Sequence, residues 1–405
     1  MHILLIHQAF AALDEPGGTR HHEFARLLVD LGHQVSIIAS PVSYLTGSKQ
    51  KANKVVTDKD GKIIIYRAYT YSALHKSFFH RLLSFFTFMV SSFFTALRVK
   101  NVDVVWGTSP PIFQSVTALL IARIKGANFL LEIRDLWPAF AIAVGVLKNR
   151  ILIDLSYWLE KFLYRHADQV IVNSPGYLQH VKERGARKVS MIPNGADESF
   201  FVTKESHEMK RSLGWCDKFV ILYAGAHGMS NDLGTVLVAA KLLESHDDIL
   251  FAFLGDGKEK QILIEKSIAL NLPNVQFLDP VPKTEIAAYL QSSDACLAIL
   301  KPIEMYKTTY PNKVFDYMAA GKPVALAIDG VIRDVVEKAH CGIFCQPGNP
   351  QAISHCVTQL SRMTEAERQA MGNRGRQYLK KNFDRKDTVK LFSDMIEKMV
   401  NKNAG

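Results

Sequence analysis

A cation in the first turn of a helix opposes the helix macrodipole, and this sequence places one there. In the run YKTTYPNKVFDYMAAGKP, residues 306–323, Pro311 and Asn312 have the form of a helix start. Lys313 then falls in the first turn and Asp316 one turn on. A phosphate docked at that end would remove the conflict, and Asp316 can accept two hydroxyl hydrogen bonds, which is what a ribose presents. The plain alternative is a solvated first turn. Three glycine turns are further candidates: Gly17-Gly18-Thr19, Gly225 to Gly228, and Gly255 to Gly257. None is a G-x-G-x-x-G or a Walker A loop, which disfavours a standard dinucleotide site or an ATPase. Taken singly each is a tight turn, but glycines after strands let a ligand approach the backbone, and the following helix offers free N–H groups to a phosphate. Asp135 is a fourth candidate, able to orient an acceptor hydroxyl or to act as base if the reaction inverts, and Arg134 with Asp135 could equally form a structural ion pair.

Parallel strands are the elements that position such turns. Residues 3–6, 34–39, 102–106, 129–133, 169–172 and 189–192 are short, mostly apolar runs, separated by segments that mostly read as helices, residues 22–31 among them. After Pro193-Asn194-Gly195 a second series follows at 219–223, 250–254, 275–278, 295–299 and 323–327, with helices such as 233–243 and 283–291 between them. Runs apolar on both faces and alternating with helices predict two parallel sheets, each covered on both sides. The expected division is 1–195, 196–383 and a C-terminal helix over 384–405 that packs back toward the first domain. Asp58-Lys59-Asp60 precedes Gly61 between two strand-like runs and reads as a charged hairpin turn in preference to a metal-binding D-x-D.

The stretch from Leu82 to Leu97 departs from this pattern, being 16 uncharged residues flanked by Lys76, His80 and Arg81 and by Arg98 and Lys100. As a helix it spans about 24 Å, short of the roughly 30 Å hydrocarbon core of a bilayer. Its phenylalanines and basic flanks suit a helix lying in the interface of an anionic leaflet, the alternative being a buried crossover helix.

The chain has 405 residues, 48% of them apolar, enough for two cores. Its net charge of +10 is uneven: residues 1–180 carry 19 Lys and Arg against 12 Asp and Glu, the remainder 30 against 27. The basic first half suits an anionic partner. Nucleic acid is disfavoured, because the aromatic residues cluster with apolar neighbours instead of interleaving with Lys and Arg. The start of the chain shows no secretory signal pattern, so a cytoplasmic protein at the inner membrane face is expected. The five cysteines, odd in number and without C-x-x-C spacing, predict inert thiols.

The motifs IPNGAD (192–197), FLGDG (253–257), NVQFL (274–278) and FDYMAAGKPV (315–324) resemble the successive signatures of the retaining glycosyltransferase family 4. The resemblance runs from Gly17-Gly18 to Phe383. GGTRHHEFA (17–25) and EIRDLWP (132–138) resemble its bacterial polysaccharide branch, the WbuB-type N-acetyl-L-fucosamine transferases of O-antigen assembly. The resemblance implies an α/β fold of the GT-B kind, two Rossmann-like doubly wound domains facing across a cleft, the acceptor on the first and the donor mostly on the second. It implies a nucleotide-sugar donor, a UDP-sugar carrying FucNAc or GlcNAc, and a polyprenyl-diphosphate-linked glycan acceptor, with no cofactor and no metal. Donor contacts carried over are Gly17, Gly18, Gly225, Gly228, Gly255, Val281, Thr308, Thr309, Tyr310, Lys313 and Asp316, with Thr19, Arg20 and Arg134 against acceptor or phosphate. Where the family has two glutamates eight apart, this chain has Thr308 and Asp316; where it commonly has an Arg and a Lys, Ala226-His227 and Leu233-Gly234 stand.

Charge on the departing diphosphate must therefore be met by other groups, Lys313 first, then His227 and Arg20. With Asp135 as acceptor-side residue, Lys313 and His227 make up the candidate catalytic set. Retention would let the leaving phosphate take the acceptor proton. A non-hydrolysing sugar-nucleotide epimerase shares the architecture and is the alternative enzyme; a non-enzymatic nucleic-acid binder is the alternative outside enzymes.

Overall fold

Runs of Ile, Leu and Val that leave no face for water become the central strands of two sheets. The computed structural model describes residues 1–49, 55–72, 78–202 and 206–401. Contacts divide them into one unit of Met1–Leu13, Gly17–Pro193 and Lys386–Gly405 and another of Asp14–Pro16 and Asn194–Arg385.

The first unit holds β1 (His2–Ile6), β2 (Gln34–Ala39), β3 (Val55–Asp58), β4 (Ile63–Arg67), β5 (Val104–Ser109), β6 (Asn128–Ile133), β7 (Gln169–Val172) and β8 (Val189–Met191), in the spatial order β3-β4-β2-β1-β5-β6-β7-β8. All pairs are parallel except β3 with β4. The chain order reverses at β1, which pairs with β2 on one side and β5 on the other, and open α/β sheets bind ligands at the carboxyl ends of the strands around such a point. The second unit holds β9 (Phe219–Ala224), β10 (Ile249–Leu254), β11 (Val275–Leu278), β12 (Ala295–Ile299), β13 (Val324–Ala327) and β14 (Gly342–Phe344), ordered β11-β10-β9-β12-β13-β14 and wholly parallel. Here the reversal falls at β9.

Two local readings change and one holds. The strand expected over 102–106 begins at Val104 and runs on through Gly107 to Ser109, because Asn128 to Ile133 pair with it along that length. Short β14 carried no separate signal. Asp58 to Gly61 do close a hairpin, with Lys59 and Asp60 both left-handed at φ of 52° and 54°. Asp58 accepts from His22 Nε2 at 3.1 Å, and Arg26 lies 3.7 Å away.

The apolar stretch forms the helix Phe78–Arg98, 21 residues and therefore about 31 Å long. By length and composition, Phe79–Arg98 is long and apolar enough to cross a membrane, which corrects the shorter estimate from the uncharged residues alone. One of its faces is nevertheless core: Phe88, Ser92 and Ala96 are fully buried at four-residue spacing, and Thr117 Oγ1 donates to the Met89 carbonyl at 3.0 Å. Lys76, the first of the expected basic flanks, lies outside the described residues. Of the cysteines, Cys216 is exposed and the other four are buried; burial pushes the Cys296 and Cys341 thiols up to about 12.

The last helix, Arg385–Asn401, closes the core of the first unit. Phe392 packs tilted at 4.7 Å against Trp106 from β5 and meets Phe24 edge-on at 5.8 Å, and His33 Nε2 lies 2.7 Å from Ser393 Oγ. Phe392 is fully buried. Phe392→Ala is expected to cost roughly 3–5 kcal/mol of unfolding free energy. Urea denaturation checks this, and an unchanged midpoint would show that the helix is not part of the core.

Candidate functional site

In the second unit, Lys313 is the centre of the arrangement. It occupies the first turn of the helix Asn312–Ala319, whose start at Pro311 agrees with the sequence. One turn later, Tyr317 ties that helix to the sheet: its hydroxyl accepts from the Ala224 amide at 3.0 Å and lies 3.2 Å from both the Ala224 and Leu297 carbonyls. Lys313 is thereby delivered to the loop after β9. Its Nζ donates to Tyr223 Oη at 2.6 Å and to Asn231 Oδ1 at 3.1 Å, and it sits 4.0 Å above the Tyr223 ring. Tyr223 Oη and Asn231 Nδ2 both donate to the Ala226 carbonyl, at 2.7 and 2.9 Å, which fixes their acceptor atoms toward the lysine.

Gly225 makes room for this lysine. A Cβ on Gly225 would stand 3.2 Å from Lys313 Nζ, and its φ of +151° excludes most other residues. The loops after β9 and β10 are held together as one piece: Gly225 N donates to Leu254 O at 3.0 Å, His227 N to Asp256 O at 2.8 Å, and Glu259 N to His227 O at 2.9 Å. A Cβ at Gly255 would lie 2.0 Å from the Gly225 carbonyl oxygen, so only glycine permits the approach.

The electrostatics of Lys313 are unusual. Among the described residues no carboxylate pairs with it, and its hydrogen-bond partners are neutral, since burial drives the Tyr223 phenol well above its ordinary value. Burial lowers the Lys313 ammonium to about 7. A desolvated cation without a counter-charge is the complement of an anionic ligand.

His227 does not share this role. It is fully enclosed, with neither ring nitrogen hydrogen-bonded, and burial, with Lys260 and Lys313 nearby, lowers it to about 3. A neutral imidazole carries no charge to a diphosphate, which corrects the expectation that it backs Lys313. Asp316 lies on the same helix and accepts from Lys283 Nζ at 2.7 Å. Thr308 Oγ1 donates to Met305 O at 2.6 Å inside the turn Glu304–Thr308, and Thr309 N donates back to Tyr306 O at 3.2 Å. The Tyr310 carbonyl accepts from Asn194 Nδ2 at 2.7 Å. Gly228 follows His227 in the loop, and Val281, half-buried, stands in the connection after β11.

In the first unit the loop Gly17-Gly18-Thr19 leads into the helix Arg20–Asp30. Gly17 has φ of +143° and would meet Ala11 and Tyr44 with a Cβ; the Gly18 amide donates to Tyr44 Oη at 3.0 Å. Thr19 Oγ1 donates to Glu23 at 2.7 Å. Arg20 is buried and paired with Glu132 at the end of β6. Its charge is already met inside the unit, so it does not stand ready for a diphosphate. His21 Nε2 lies 2.7 Å from the other Glu132 oxygen, which also accepts from Trp106 Nε1 at 3.1 Å. Burial would raise Glu132, yet Arg20 and His21 hold it well below the carboxylate range, while burial lowers His21 to about 4 in spite of Glu132. His21 is thus a neutral donor. The His7 ring, directly after β1, lies tilted 4.4 Å from His21, and among the described residues neither of its nitrogens is hydrogen-bonded.

Two residues beyond β6, burial raises Asp135 to about 6, with Arg134 and a hydrogen bond from Tyr177 pulling it back. Arg134 turns its guanidinium to the Pro110 carbonyl at 2.7 Å and acts on Asp135 through its charge, with no ion pair between them among the described residues. Glu132, His21 and His7 were not among the residues singled out from sequence. The signal was present for Glu132, a carboxylate set between Leu131 and Ile133 in a buried strand.

Comparison with known proteins matches residues 205–378 to the model described as glycosyl transferases group 1 and residues 17–195 to the glycosyl transferase 4-like domain. WbjE of Pseudomonas aeruginosa, named as a glycosyltransferase, is 24% identical over 76% of this chain and 77% of its own length. WcaI of Escherichia coli K12, named as a colanic acid biosynthesis glycosyl transferase, is 24% identical over 92% and 94%. Among solved structures, a sucrose-phosphate synthase from Thermosynechococcus elongatus superimposes with a TM-score of 0.79 at 16% identity, covering 99% of both chains. HepE of Anabaena in complex with UDP and glucose gives 0.74 at 14% identity, covering 98% and 100%. The fold is GT-B.

Removing one partner of a buried charge network costs roughly 3–5 kcal/mol. Glu132→Gln is expected to lose that much, measured by urea unfolding at neutral pH. The folded state holds Glu132 ionised, so this contribution is present above the ordinary carboxylate range and fades as pH falls. An unchanged midpoint would contradict the network.

Proposed function

The chain belongs to the glycosyltransferases, with a group 1 domain and a 4-like domain, and on that premise we propose that it transfers a sugar from a UDP-sugar to a polyprenyl-diphosphate-linked glycan in bacterial surface polysaccharide assembly. The sugar is an N-acetylated amino sugar, FucNAc or GlcNAc, moved with retention, as in WbuB-type transferases of O-antigen assembly. The relatives named for glycosyl transfer and colanic acid biosynthesis support the pathway class, and the UDP in HepE supports the donor class.

The observation that carries the reading is Lys313, desolvated and without a carboxylate partner beside the Gly225 loop. When the bond from the anomeric carbon to the donor phosphate breaks, negative charge grows on the departing UDP. Preorganised donors aimed at that charge supply most of the rate enhancement in such a reaction. Lys313 is the first of those donors, and Gly225, Gly228 and Gly255 let the diphosphate approach the loop backbone beside it. Asp316 holds the ribose, and Thr308, Thr309, Tyr310 and Val281 line the nucleotide-sugar. The leaving phosphate takes the proton of the acceptor hydroxyl, and Asp135, ionised for the most part at neutral pH, orients that hydroxyl. No metal or cofactor enters this scheme.

The acceptor is membrane-borne in this reading, and the first unit has a surface suited to it. The helix Phe78–Arg98 leaves Phe79, Phe86, Val90 and Phe94 exposed, Phe79 at 81% and Phe94 at 60%. The helix Arg150–His166 adds Ile151, Leu155 and Trp158, the last 62% exposed. Arg81, Arg98, Lys100 and Arg150 flank these residues, so apolar contact and attraction to anionic headgroups act together. The protein then works on the cytoplasmic face of the membrane as a peripheral enzyme.

A panel of UDP-, GDP- and dTDP-sugars offered with a short polyprenyl-diphosphate sugar, read by mass spectrometry, tests the reaction. Transfer is expected from UDP-sugars; turnover of the donor without an acceptor would point to an epimerase instead. Lys313→Ala should lower the transfer rate about 100- to 1,000-fold, the scale of one lost donor to a developing oxyanion, with little change in melting temperature. An unchanged rate removes Lys313 from the site.

A further inference from the structure

Between the two exposed helices of the first unit lies an apolar pocket of about 90 Å3. Phe85 and Phe113, stacked at 5.8 Å, form one wall, and Trp137, 6.0 Å from Phe113, forms another. Leu147 and Ala141 line the side toward the chain that follows β6, and Ser156 the side of the helix Arg150–His166. The single charged lining residue is Arg81, which is exposed and so stands at the rim. The Trp137 amide donates to the Asp135 carbonyl at 2.9 Å, so the pocket wall and the candidate acceptor-side carboxylate belong to one tight turn.

We propose that this pocket seats the phosphate-proximal isoprene unit of the acceptor's carrier lipid, with Arg81 pairing to the lipid phosphate. The inference rests on the polyprenyl-linked acceptor proposed above and names where that lipid is read. Three observations carry it. The pocket is small, about 90 Å3, and open at its rim, which suits one short branched hydrocarbon unit and not a coiled acyl tail. The lining is apolar except for an arginine at the rim, a residue whose planar fork matches phosphate oxygens. The pocket is flanked by the exposed apolar residues of both helices, so a lipid can enter it without leaving the bilayer interface. A ligand anchored there is registered against the Asp135 turn, and anchoring of this kind is what converts loose membrane contact into a defined acceptor position.

The test uses the full-length chain, geranyl phosphate as probe, and calorimetric titration without vesicles. Wild type is expected to bind geranyl phosphate more tightly than geraniol, and inorganic phosphate not measurably. Ser156→Phe and Ala141→Phe fill the pocket from two different walls, and each should weaken geranyl phosphate binding about tenfold or more, with melting temperatures confirming that at least one is folded. Arg81→Gln should weaken geranyl phosphate but not geraniol. Equal affinity in wild type and the filled variants, or no binding by wild type, overturns the proposal. So does a parallel loss of binding to phosphatidylglycerol vesicles in the filled variants, which would make the face a general lipid contact. Failure of the transferase reading is separable: it leaves pocket-dependent geranyl phosphate binding intact while no prenyl-linked acceptor is glycosylated.

Discussion

A half-buried lysine without an acid beside it is the constraint on which the second unit is organised. Lys313 keeps its place because Tyr223 and Asn231 offer neutral acceptors, both oriented by the Ala226 carbonyl, and because Gly225 has no side chain to fill the space. Each of these features lowers the cost of holding an ammonium group there, yet none neutralises it, and its affinity for a proton stays depressed. The glycines after β9 and β10 serve the same end. They let two loops lock together by backbone hydrogen bonds, so the lysine stands beside a fixed pair of loops.

The first unit solves the opposite problem. Its buried carboxylate, Glu132, is satisfied from three sides by Arg20, His21 and Trp106, leaving a rigid, internally compensated cluster at the carboxyl ends of β1, β5 and β6. Such a cluster gives orientation without free charge. It holds the glycine loop and the Asp135 turn at the same sheet edge, and Asp135, raised toward neutrality by burial, is the group there that remains close to titrating. The basic character of this half of the chain is instead expressed on its surface, around helices that expose phenylalanine and tryptophan. Counter-charge in one unit and apolar recognition in the other are what the proposed reaction between a nucleotide-sugar and a lipid-borne acceptor requires.

Much of this was legible from residue types alone. The strands follow the short apolar runs to within a residue or two because parallel strands covered on both faces need them, and β5 was displaced only because Gly107 to Ser109 carry no apolar signal yet pair fully with β6. Lys313 was recognisable because it violates a local rule, the sign of the helix dipole. Its partners were not, since Tyr223 and Asn231 come from 90 and 82 residues away. Long-range burial also explains the two expectations about charged groups of the site that changed. Arg20 is spent on a glutamate 112 residues distant, and His227 is neutral because the loop after β10 closes over it. Local sequence carries charge; only the packed chain decides which charges remain available.

The most direct test of the central claim is the proton count on binding UDP. At pH 8 a lysine with an affinity near 7 is mostly neutral, and an anionic diphosphate beside it restores the charged form. Calorimetric titrations of UDP in two buffers of different ionisation enthalpy should therefore show proton uptake by the wild-type protein and none by Lys313→Met. Binding without uptake, or equal uptake in both proteins, would contradict the assignment of Lys313 as the counter-charge of the donor.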